Sequence, residues 1–176
     1  IESTDPEKVS IGLPLFFASK DAHDDGMRIM LSGQGADELF AGYKRYESMS
    51  PVNFEQALEN DLHNIAVNNL ERDDAVTMAN AVELRVPFLD RKVVELALRI
   101  SSNLKIKNGI RKYILRQAAG RILPEELVIK DKKAAQYSSG VYSALEKLAK
   151  KNGFSGERFI GRYLKSDLLI LNDKKN

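Results

Sequence analysis

The chain has 176 residues, of which 43% are hydrophobic and 30% charged, a composition typical of one soluble globular domain or a large piece of one. It contains no cysteine, which excludes disulfides, thiolate zinc sites, iron–sulfur clusters and cysteine nucleophiles and favours a reducing, cytoplasmic location. The net charge is only +2, yet residues 1–90 carry 7 basic and 17 acidic side chains, whereas residues 91–176 carry 20 and 8. This asymmetry indicates a basic face for an anionic partner, two halves that neutralise each other, or solvated helix surfaces.

The first predicted elements are a helix, a strand and a glycine-rich turn. Apolar residues from Leu13 to Ala22 fit a helix that ends by Gly26, and they form no run near the ~20 residues that span a bilayer. The segment Met27–Leu31 is short and almost continuously apolar, which predicts a buried parallel strand. The turn from Ser32 leads into another helix, so strand, loop and helix start follow one another directly.

The rest of the chain is predicted to be mainly helical. Ser50 and Pro51 can begin a helix, and Asp73 or Asp74 can begin another. Val86 should be extended because it precedes a proline, and Asp90 can cap the helix that follows. A further helix is predicted over residues 110–119 and another from Val141 to a stop at Gly153, followed by a shorter apolar stretch over residues 159–164.

Only one convincing strand emerges, and one strand cannot form a sheet. Other strands have therefore been missed or lie outside this chain. Because the chain opens at Ile1 rather than at an initiator methionine, we expect residues 1–171 to be part of a larger domain, with 172–176 a polar tail. Such a piece exposes apolar surface, so a homo-oligomer is a possible state in solution.

The strongest chemical signal is the turn from Ser32 to Glu38. Ligands of parallel sheets bind beyond the carboxyl ends of strands, and helix starts attract anions. Gly33 and Gly35 permit close approach, while Asp37 and Glu38 would repel a phosphate unless a divalent cation lay between them. The pattern therefore predicts magnesium bridging carboxylate and phosphate, although acidic residues in a first helical turn can also be purely structural.

Two weaker signals follow. Lys112 and Arg116 are neighbours at i, i+4 in the predicted helix 110–119, so a phosphate between them, or simply solvated surface, would relieve their repulsion. Arg85 and Asp90 flank an extended apolar stretch and are interpreted as scaffold. His23 and His63 have no metal-type partners nearby in sequence and receive no role.

Taken together, the segments Leu31–Tyr43, Glu83–Asp90 and Arg111–Arg116 resemble the synthetase domain of the glutamine-dependent asparagine synthetases, in order and in spacing. The resemblance extends from about Ile1 to at least Gly140. It implies an α/β fold of the adenine nucleotide alpha hydrolase type, of which this chain would form a predominantly α-helical part with one or two short parallel strands. It also implies ATP and Mg2+ as cofactors, and aspartate adenylated on its side-chain carboxylate and then attacked by ammonia.

The resemblance also implies roles for individual residues. Asp37 corresponds to the carboxylate that holds magnesium with pyrophosphate, and Lys112 to the lysine that stabilises charge on the phosphates and the adenylate. By the same resemblance Gln34, close to the acceptor, is the second catalytic candidate after Lys112. The candidates for binding the cofactor are Ser32, Gly33 and Gly35 of the loop, Glu38, which supports it, and, as a weaker phosphate-side candidate, Lys92.

The sequence departs from the family pattern in two ways. The phosphate loop Ser-Gly-Gly-x-Asp-Ser and the cysteine nucleophile of the glutaminase half are not among these 176 residues. The ATP site and the ammonia supply would therefore have to be completed by a longer polypeptide, and the fragment alone should be inactive. At Gln34 many members carry glutamate, and an amide cannot offer a full negative charge, which leaves the acceptor open between aspartate and another carboxylic acid.

Two alternatives belong to other classes. One is a non-catalytic helical module whose basic second half binds nucleic acid or another anionic partner, but it lacks interleaved aromatic residues and a nucleic-acid motif. The other is a synthetase-like protein that has lost activity. The sequence predicts no membrane association.

Overall fold

The computed structural model describes the backbone of residues 1, 3–130 and 133–173, and the side chains of these residues up to 166. The α-helices are α1 (Pro6–Asp24), α2 (Ala36–Phe40), α3 (Pro51–His63), α4 (Glu71–Met78), α5 (Arg91–Arg99), α6 (Ser102–Lys105), α7 (Tyr113–Ala119), α8 (Glu125–Val128), α9 (Ala135–Ser138), α10 (Val141–Lys151) and α11 (Phe159–Asp173). The strands are β1 (Ile29–Leu31), β2 (Glu83–Arg85), β3 (Ile106–Lys107) and β4 (Ile110–Arg111). The predicted dominance of helix, with a short parallel sheet, is confirmed.

Local capping chemistry explains where several helices begin. The Ser50 hydroxyl accepts the Asn53 N–H at the start of α3, and the Asp90 carboxylate accepts the Lys92 N–H at the start of α5. Both caps were predicted, and each stabilises its helix by about 1 kcal/mol. No helix among the described residues combines the length and apolar character needed to cross a bilayer.

The predicted start of α4 is wrong. A π-helical turn, Ala66–Leu70, runs directly into α4, which begins at Glu71 rather than at Asp73 or Asp74. Asp73 is instead buried inside the helix, where its Oδ1 lies 2.7 Å from Nη2 of Arg72. A buried carboxylate paired with its neighbour cannot serve as a cap, because a cap must accept backbone N–H groups of the first turn.

The predicted helix over 110–119 is also wrong in its first turn. Ile110 and Arg111 form β4, which pairs antiparallel with β3, and α7 begins only at Tyr113. The hairpin turns at Asn108 and Gly109, both with positive φ (53° and 74°). Asn-Gly is a strong signal for a two-residue hairpin, and it overrides the apolar periodicity at this point.

The parallel sheet consists of β1 and β2. The Ser32 N–H donates to the Arg85 carbonyl and the Glu83 N–H to the Arg28 carbonyl, each at 2.8 Å. The predicted burial of β1 is wrong, since Ile29 is 45% and Leu31 71% exposed. Within the described residues the sheet has only two strands, so its apolar side chains remain uncovered. The sequence did not predict β2 because its three residues are too few to show the alternation of apolar and polar side chains that marks a strand.

The chain divides into two compact units. The first comprises Ile1–Arg28, Arg72–Glu83 and Lys133–Asn176, and the second comprises Ile29–Glu71 and Leu84–Lys132. In the first unit, the Asn80 amide donates to the Phe16 carbonyl (3.0 Å) and to Oγ of Ser19 (2.8 Å), which fastens the end of α4 to α1. The predicted polar tail overlaps α11 as far as Asp173, and residues 174–176 lie outside the described residues.

The second unit contains two apolar clusters. One includes residues of α2, and the other includes Ala41, the residue directly after α2. Leu39 and Phe40 pack with Ala97 of α5 in one cluster. Ala41 packs with Tyr46, Phe54 and Leu58 in the other. Because α2 is only five residues long, this packing fixes the directions of all its side chains.

Tyr46 provides a test of the second unit's core. Its hydroxyl donates to Oδ2 of Asp61, and burial, followed by this hydrogen bond and the charge of Asp61, holds the pKa of Tyr46 well above its usual range. The folded-state pKa exceeds the unfolded value of about 10, so the stabilisation is complete below that pH and is lost as the pH rises towards the folded-state pKa. We expect Tyr46→Phe to reduce the alkaline loss of stability in urea unfolding at a series of pH values.

The matched control is Tyr137→Phe, which removes an exposed hydroxyl. We expect the control to retain the alkaline loss of the parent chain. An identical alkaline loss in the parent chain and Tyr46→Phe would contradict the proposed role of Tyr46.

Candidate functional site

The loop between β1 and α2 is shaped by its own backbone. The Gln34 N–H donates to Oγ of Ser32 (3.3 Å), and the Ala36 N–H donates to the Gly33 carbonyl (3.3 Å). Gly35 has φ of 89°, and a Cβ there would lie 2.4 Å from Cδ2 of Leu89, so only glycine fits. Gly33 is exposed, with nothing within 4 Å of the position of a Cβ. The loop therefore needs Gly35 for its conformation, whereas Gly33 leaves an open approach.

Two predicted site residues from distant parts of the sequence meet beside this loop. Nζ of Lys112 lies 2.9 Å from Oδ1 of Asp37, and the side chains are 22% and 21% exposed. The first turn of α2 carries Asp37, and Lys112 lies between β4 and α7. The structure thus forms a partly exposed ion pair that a charged ligand could reach.

Gly42 leaves the space that the ion pair occupies. A Cβ at this position would lie 1.6 Å from Oδ1 of Asp37 and 2.4 Å from Cε of Lys112. The Gly42 N–H also donates to the Asp37 carbonyl at 2.9 Å. Lys112 itself has φ of 55°, a left-handed conformation that costs a residue with a Cβ roughly 1–2 kcal/mol. The surrounding structure therefore imposes the position of the lysine.

Glu38 follows Asp37 in sequence but is buried, with only 4% of its surface exposed. Its Oε1 accepts hydrogen bonds from the Tyr43 hydroxyl (2.5 Å) and from Nδ2 of Asn69 (3.1 Å). Burial, and next its hydrogen bond to Glu38, raise the pKa of Tyr43 far above its usual value, so the phenol remains a donor. Asn69 lies in the π-helical turn, so that irregular turn contributes directly to the environment of Glu38.

The arginines on either side of Lys112 bind the scaffold. Nη1 of Arg111 donates to the Gly42 carbonyl (2.9 Å), and its Nε lies 2.9 Å from Oε1 of Glu47. Arg116 donates to the carbonyls of Arg111, Val128 and Lys130. The predicted pairing of Lys112 with Arg116 around a phosphate is therefore wrong, because Arg116 is engaged by backbone oxygens and Lys112 meets Asp37 instead.

The other sequence-predicted candidates lie in two places. Ser32, Gly33, Gln34 and Gly35 form the loop described above. Lys92 lies on the first turn of α5 with its side chain exposed, and its N–H is bound by Asp90.

Sequence reasoning missed Gly42, Tyr43, Asn69 and Arg111 as parts of the site. A third glycine in this segment, two residues after α2, was a signal for close packing at Gly42. Nothing in the local sequence around Asn69 indicates the π-helical turn or its contact with Glu38. Among the described residues, no group of three or more histidine, cysteine, aspartate or glutamate side chains is arranged to hold a metal ion.

The space at Gly42 gives a direct test of this geometry. We expect Gly42→Ala to lower the free energy of unfolding by about 1–3 kcal/mol, because the new methyl group must displace the Asp37–Lys112 pair. Gly33→Ala is the matched control and should change it by less than about 0.5 kcal/mol, because the added methyl meets no neighbour. Urea unfolding measures both. Equal effects of the two substitutions would show that the pair does not occupy this space.

Comparison with known proteins adds to this geometry. The asparagine synthase family profile matches residues 3–56 and 47–159. The chain is 42% identical to a Methanocaldococcus jannaschii protein whose name contains the words asparagine synthetase (glutamine-hydrolyzing), over 90% of this chain and 36% of that protein. It is 35% identical to asparagine synthetase (glutamine-hydrolyzing) 1 of Saccharomyces cerevisiae, over 84% of this chain and 28% of the yeast protein. It is 33% identical to the Gallus gallus asparagine synthetase (glutamine-hydrolyzing), over 88% of this chain and 27% of the chicken protein.

The chain thus spans about a third or less of the length of these relatives. The profile nevertheless covers most of the chain, including the loop, Asp37 and Lys112. On these matches, the chain belongs to the asparagine synthase family.

Proposed function

We propose that this chain supplies part of the synthetase site of an ATP-dependent ligase that makes asparagine from aspartate. The observation that carries the proposal is the partly exposed Asp37–Lys112 pair beside an open glycine loop at the carboxyl end of a parallel strand. Ligands of α/β proteins bind at such positions. Family membership and the names of the relatives support the reaction type.

Residues 1–171 would form the C-terminal portion of an adenine nucleotide alpha hydrolase-like domain. The adenine pocket, the opening phosphate loop and a glutaminase that delivers ammonia would belong to the longer polypeptide, in keeping with the fraction of the relatives that the chain matches. We also propose that the longer polypeptide is cytoplasmic.

The proposed reaction has two bond exchanges. A side-chain carboxylate oxygen of aspartate attacks the α-phosphorus of ATP, the bond from that phosphorus to the pyrophosphate oxygen breaks, and an acyl-adenylate forms. Ammonia then attacks the acyl carbon, the bond to AMP breaks and the nitrogen loses a proton. Negative charge develops on the leaving phosphates in the first exchange and on the acyl oxygen and AMP in the second.

Lys112 is the residue proposed to stabilise that charge. Its ammonium group is already positioned by Asp37 and by the constrained left-handed backbone, so little reorganisation is needed when phosphates arrive. The open approach at Gly33 would let phosphate or acceptor groups come close to the loop backbone. Lys92, exposed on α5, remains a weaker candidate for a phosphate contact.

Asp37 is the residue proposed to hold Mg2+. Magnesium favours oxygen ligands and usually takes one or two carboxylates together with substrate phosphates. The Asp37 side chain is 21% exposed and fits that preference, whereas Glu38 is only 4% exposed and its Oε1 is engaged by Tyr43 and Asn69. When bound, the ion would neutralise phosphate charge.

Gln34 supports a second candidate within the same chemistry. It lies in the loop where many family members carry glutamate, and a neutral amide recognises an acceptor by hydrogen bonds rather than by charge. A different carboxylic acid, adenylated and then joined to an amine as in the related β-lactam-forming enzymes, is therefore the alternative acceptor.

ATP–pyrophosphate exchange in the natural polypeptide that contains this chain tests the proposal. We expect magnesium-dependent exchange that requires aspartate and falls about 100-fold or more in Lys112→Met, because the methionine keeps the stem but loses the charge. Lys107→Met is the control, since Lys107 is exposed on β3 and should leave exchange unchanged.

Folded polypeptide that binds ATP but shows no exchange with aspartate would contradict the asparagine reaction. Exchange with another carboxylic acid would then establish the alternative acceptor. Unchanged exchange in Lys112→Met would contradict the role of the lysine.

A further inference from the structure

Arg111 ties the β3–β4 hairpin to the chain that follows α2. Nη1 of its guanidinium donates to the Gly42 carbonyl (2.9 Å), and its Nε lies 2.9 Å from Oε1 of Glu47. The Arg111 side chain is 23% exposed, so the surrounding protein partly shields both contacts from water. Hydrogen bonds from a charged donor are about twice as strong as those between neutral groups. The guanidinium is therefore a strong link between two segments that lie far apart in the sequence.

Both acceptors belong to parts of the second unit that are themselves fixed. The Gly42 N–H donates to the Asp37 carbonyl at 2.9 Å, which closes the end of α2. Glu47 belongs to a short 3-10 helix in which the neighbouring Tyr46 is 2% exposed and packs in an apolar cluster. Arg111 thus attaches the hairpin to packed structure through both of its contacts.

The backbone on either side of the φ bond of Lys112 is held as well. The Arg111 carbonyl accepts Nε of Arg116 (3.0 Å), and the Lys112 carbonyl accepts the Arg116 N–H (2.9 Å). The φ angle of Lys112 describes the rotation between these two peptide groups, so contacts that fix both groups also fix this angle at 55°. A left-handed conformation is unfavourable for a residue with a Cβ and persists only where surrounding contacts enforce it.

We propose that Arg111 is a positioning residue for Lys112. Its bridge to Gly42 and Glu47 holds the left-handed turn, and that turn directs the lysine ammonium group to within 2.9 Å of Oδ1 of Asp37. Arg111 acts through the lysine, because its Nη1 and Nε are directed at protein oxygens. A lysine could not replace it, because a single ammonium group lacks the planar fork that binds two acceptors at once. The effect on catalysis rests on the proposed ligase function, whereas the hold on Lys112 does not.

Site-resolved acetylation of the natural polypeptide, without substrates, tests the hold on Lys112. A lysine in an ion pair reacts slowly with sulfosuccinimidyl acetate, because its nitrogen is not free to attack the reagent. We expect Arg111→Met to speed acetylation of Lys112 at least about threefold, because the ammonium group leaves Asp37 and gains access to solvent. Exposed Lys147 is the internal reference, and mass spectrometry of the peptides measures both rates. The matched control is Arg91→Met, since Arg91 also pairs through Nε with a glutamate oxygen (2.8 Å), but on the exposed surface of α5.

ATP–pyrophosphate exchange tests whether that hold matters for the proposed reaction. We expect Arg111→Met to lower the maximal exchange rate at least about tenfold, since a small displacement of a catalytic group is costly. In the Lys112→Met background the same substitution should lower the rate by less than about twofold, because Arg111 acts only through the lysine. Arg91→Met should leave both the exchange rate and the acetylation of Lys112 unchanged.

Acetylation of Lys112 at the same rate in the parent protein and in Arg111→Met would overturn the proposal. An equal fractional loss of exchange in both backgrounds would also overturn it, because a general structural role does not depend on the lysine. Faster acetylation in a polypeptide that shows no exchange would support the hold on Lys112 and contradict only the ligase function.

Circular dichroism checks the fold of Arg111→Met. Should that variant not fold, Glu47→Gln replaces it, since this change removes one of the two acceptor charges and leaves the bond to the Gly42 carbonyl. We then expect acetylation of Lys112 to rise at least about twofold, and an unchanged rate would contradict the proposal.

Discussion

The packing of α2 is the constraint on which the candidate site depends. This short helix places Leu39 and Phe40 in one apolar cluster, and Ala41 directly after it lies in another. Burying one large apolar side chain stabilises the fold by about 1.5–3 kcal/mol, whereas a partly exposed ion pair contributes about 0–1 kcal/mol. The apolar residues of α2 therefore position Asp37, and the pair that Asp37 makes with Lys112 contributes little to holding the fold.

The same constraint explains the unusual backbone around the pair. Ala41 and Lys112 both have left-handed conformations, with φ of 58° and 55°, and Gly42 has no room for a side chain. Each of these features costs stability or sequence freedom. Such costs are typical of sites where a charged group must be ready before its ligand arrives. The proposed role of Lys112 would explain the strained backbone, because a preorganised ammonium group stabilises phosphate charge without further rearrangement.

The sequence predicted the parts of the fold that depend on local chemistry. Ser50 and Asp90 cap their helices as expected, and the strand–loop–helix order around Ser32 is correct. It also selected Asp37 and Lys112, which the structure brings together, although their functional roles remain proposals. The errors arose where local signals compete or tertiary contacts decide: the Asn108–Gly109 turn displaced a helical turn, and the carbonyls of the α7–α8 region engaged Arg116.

Other features could not be predicted from the sequence because they depend on contacts between distant residues. The π-helical turn that places Asn69 beside Glu38 has no signature in the local sequence. Lysine side chains are almost always exposed, so the burial of Lys105 could not be predicted from its residue type. The exposure of Leu31 likewise depends on how many strands the sheet has, not on the apolar character of the segment.

The central claim is that Asp37, paired with Lys112, forms a site for magnesium and phosphate. Titration of the natural polypeptide with pyrophosphate, with and without Mg2+, tests it most directly. The account predicts binding that requires Mg2+ and is lost in Asp37→Asn but retained in Asp74→Asn, which changes an exposed carboxylate on α4. Equal binding by the parent protein and Asp37→Asn, or binding that is indifferent to Mg2+, would contradict it.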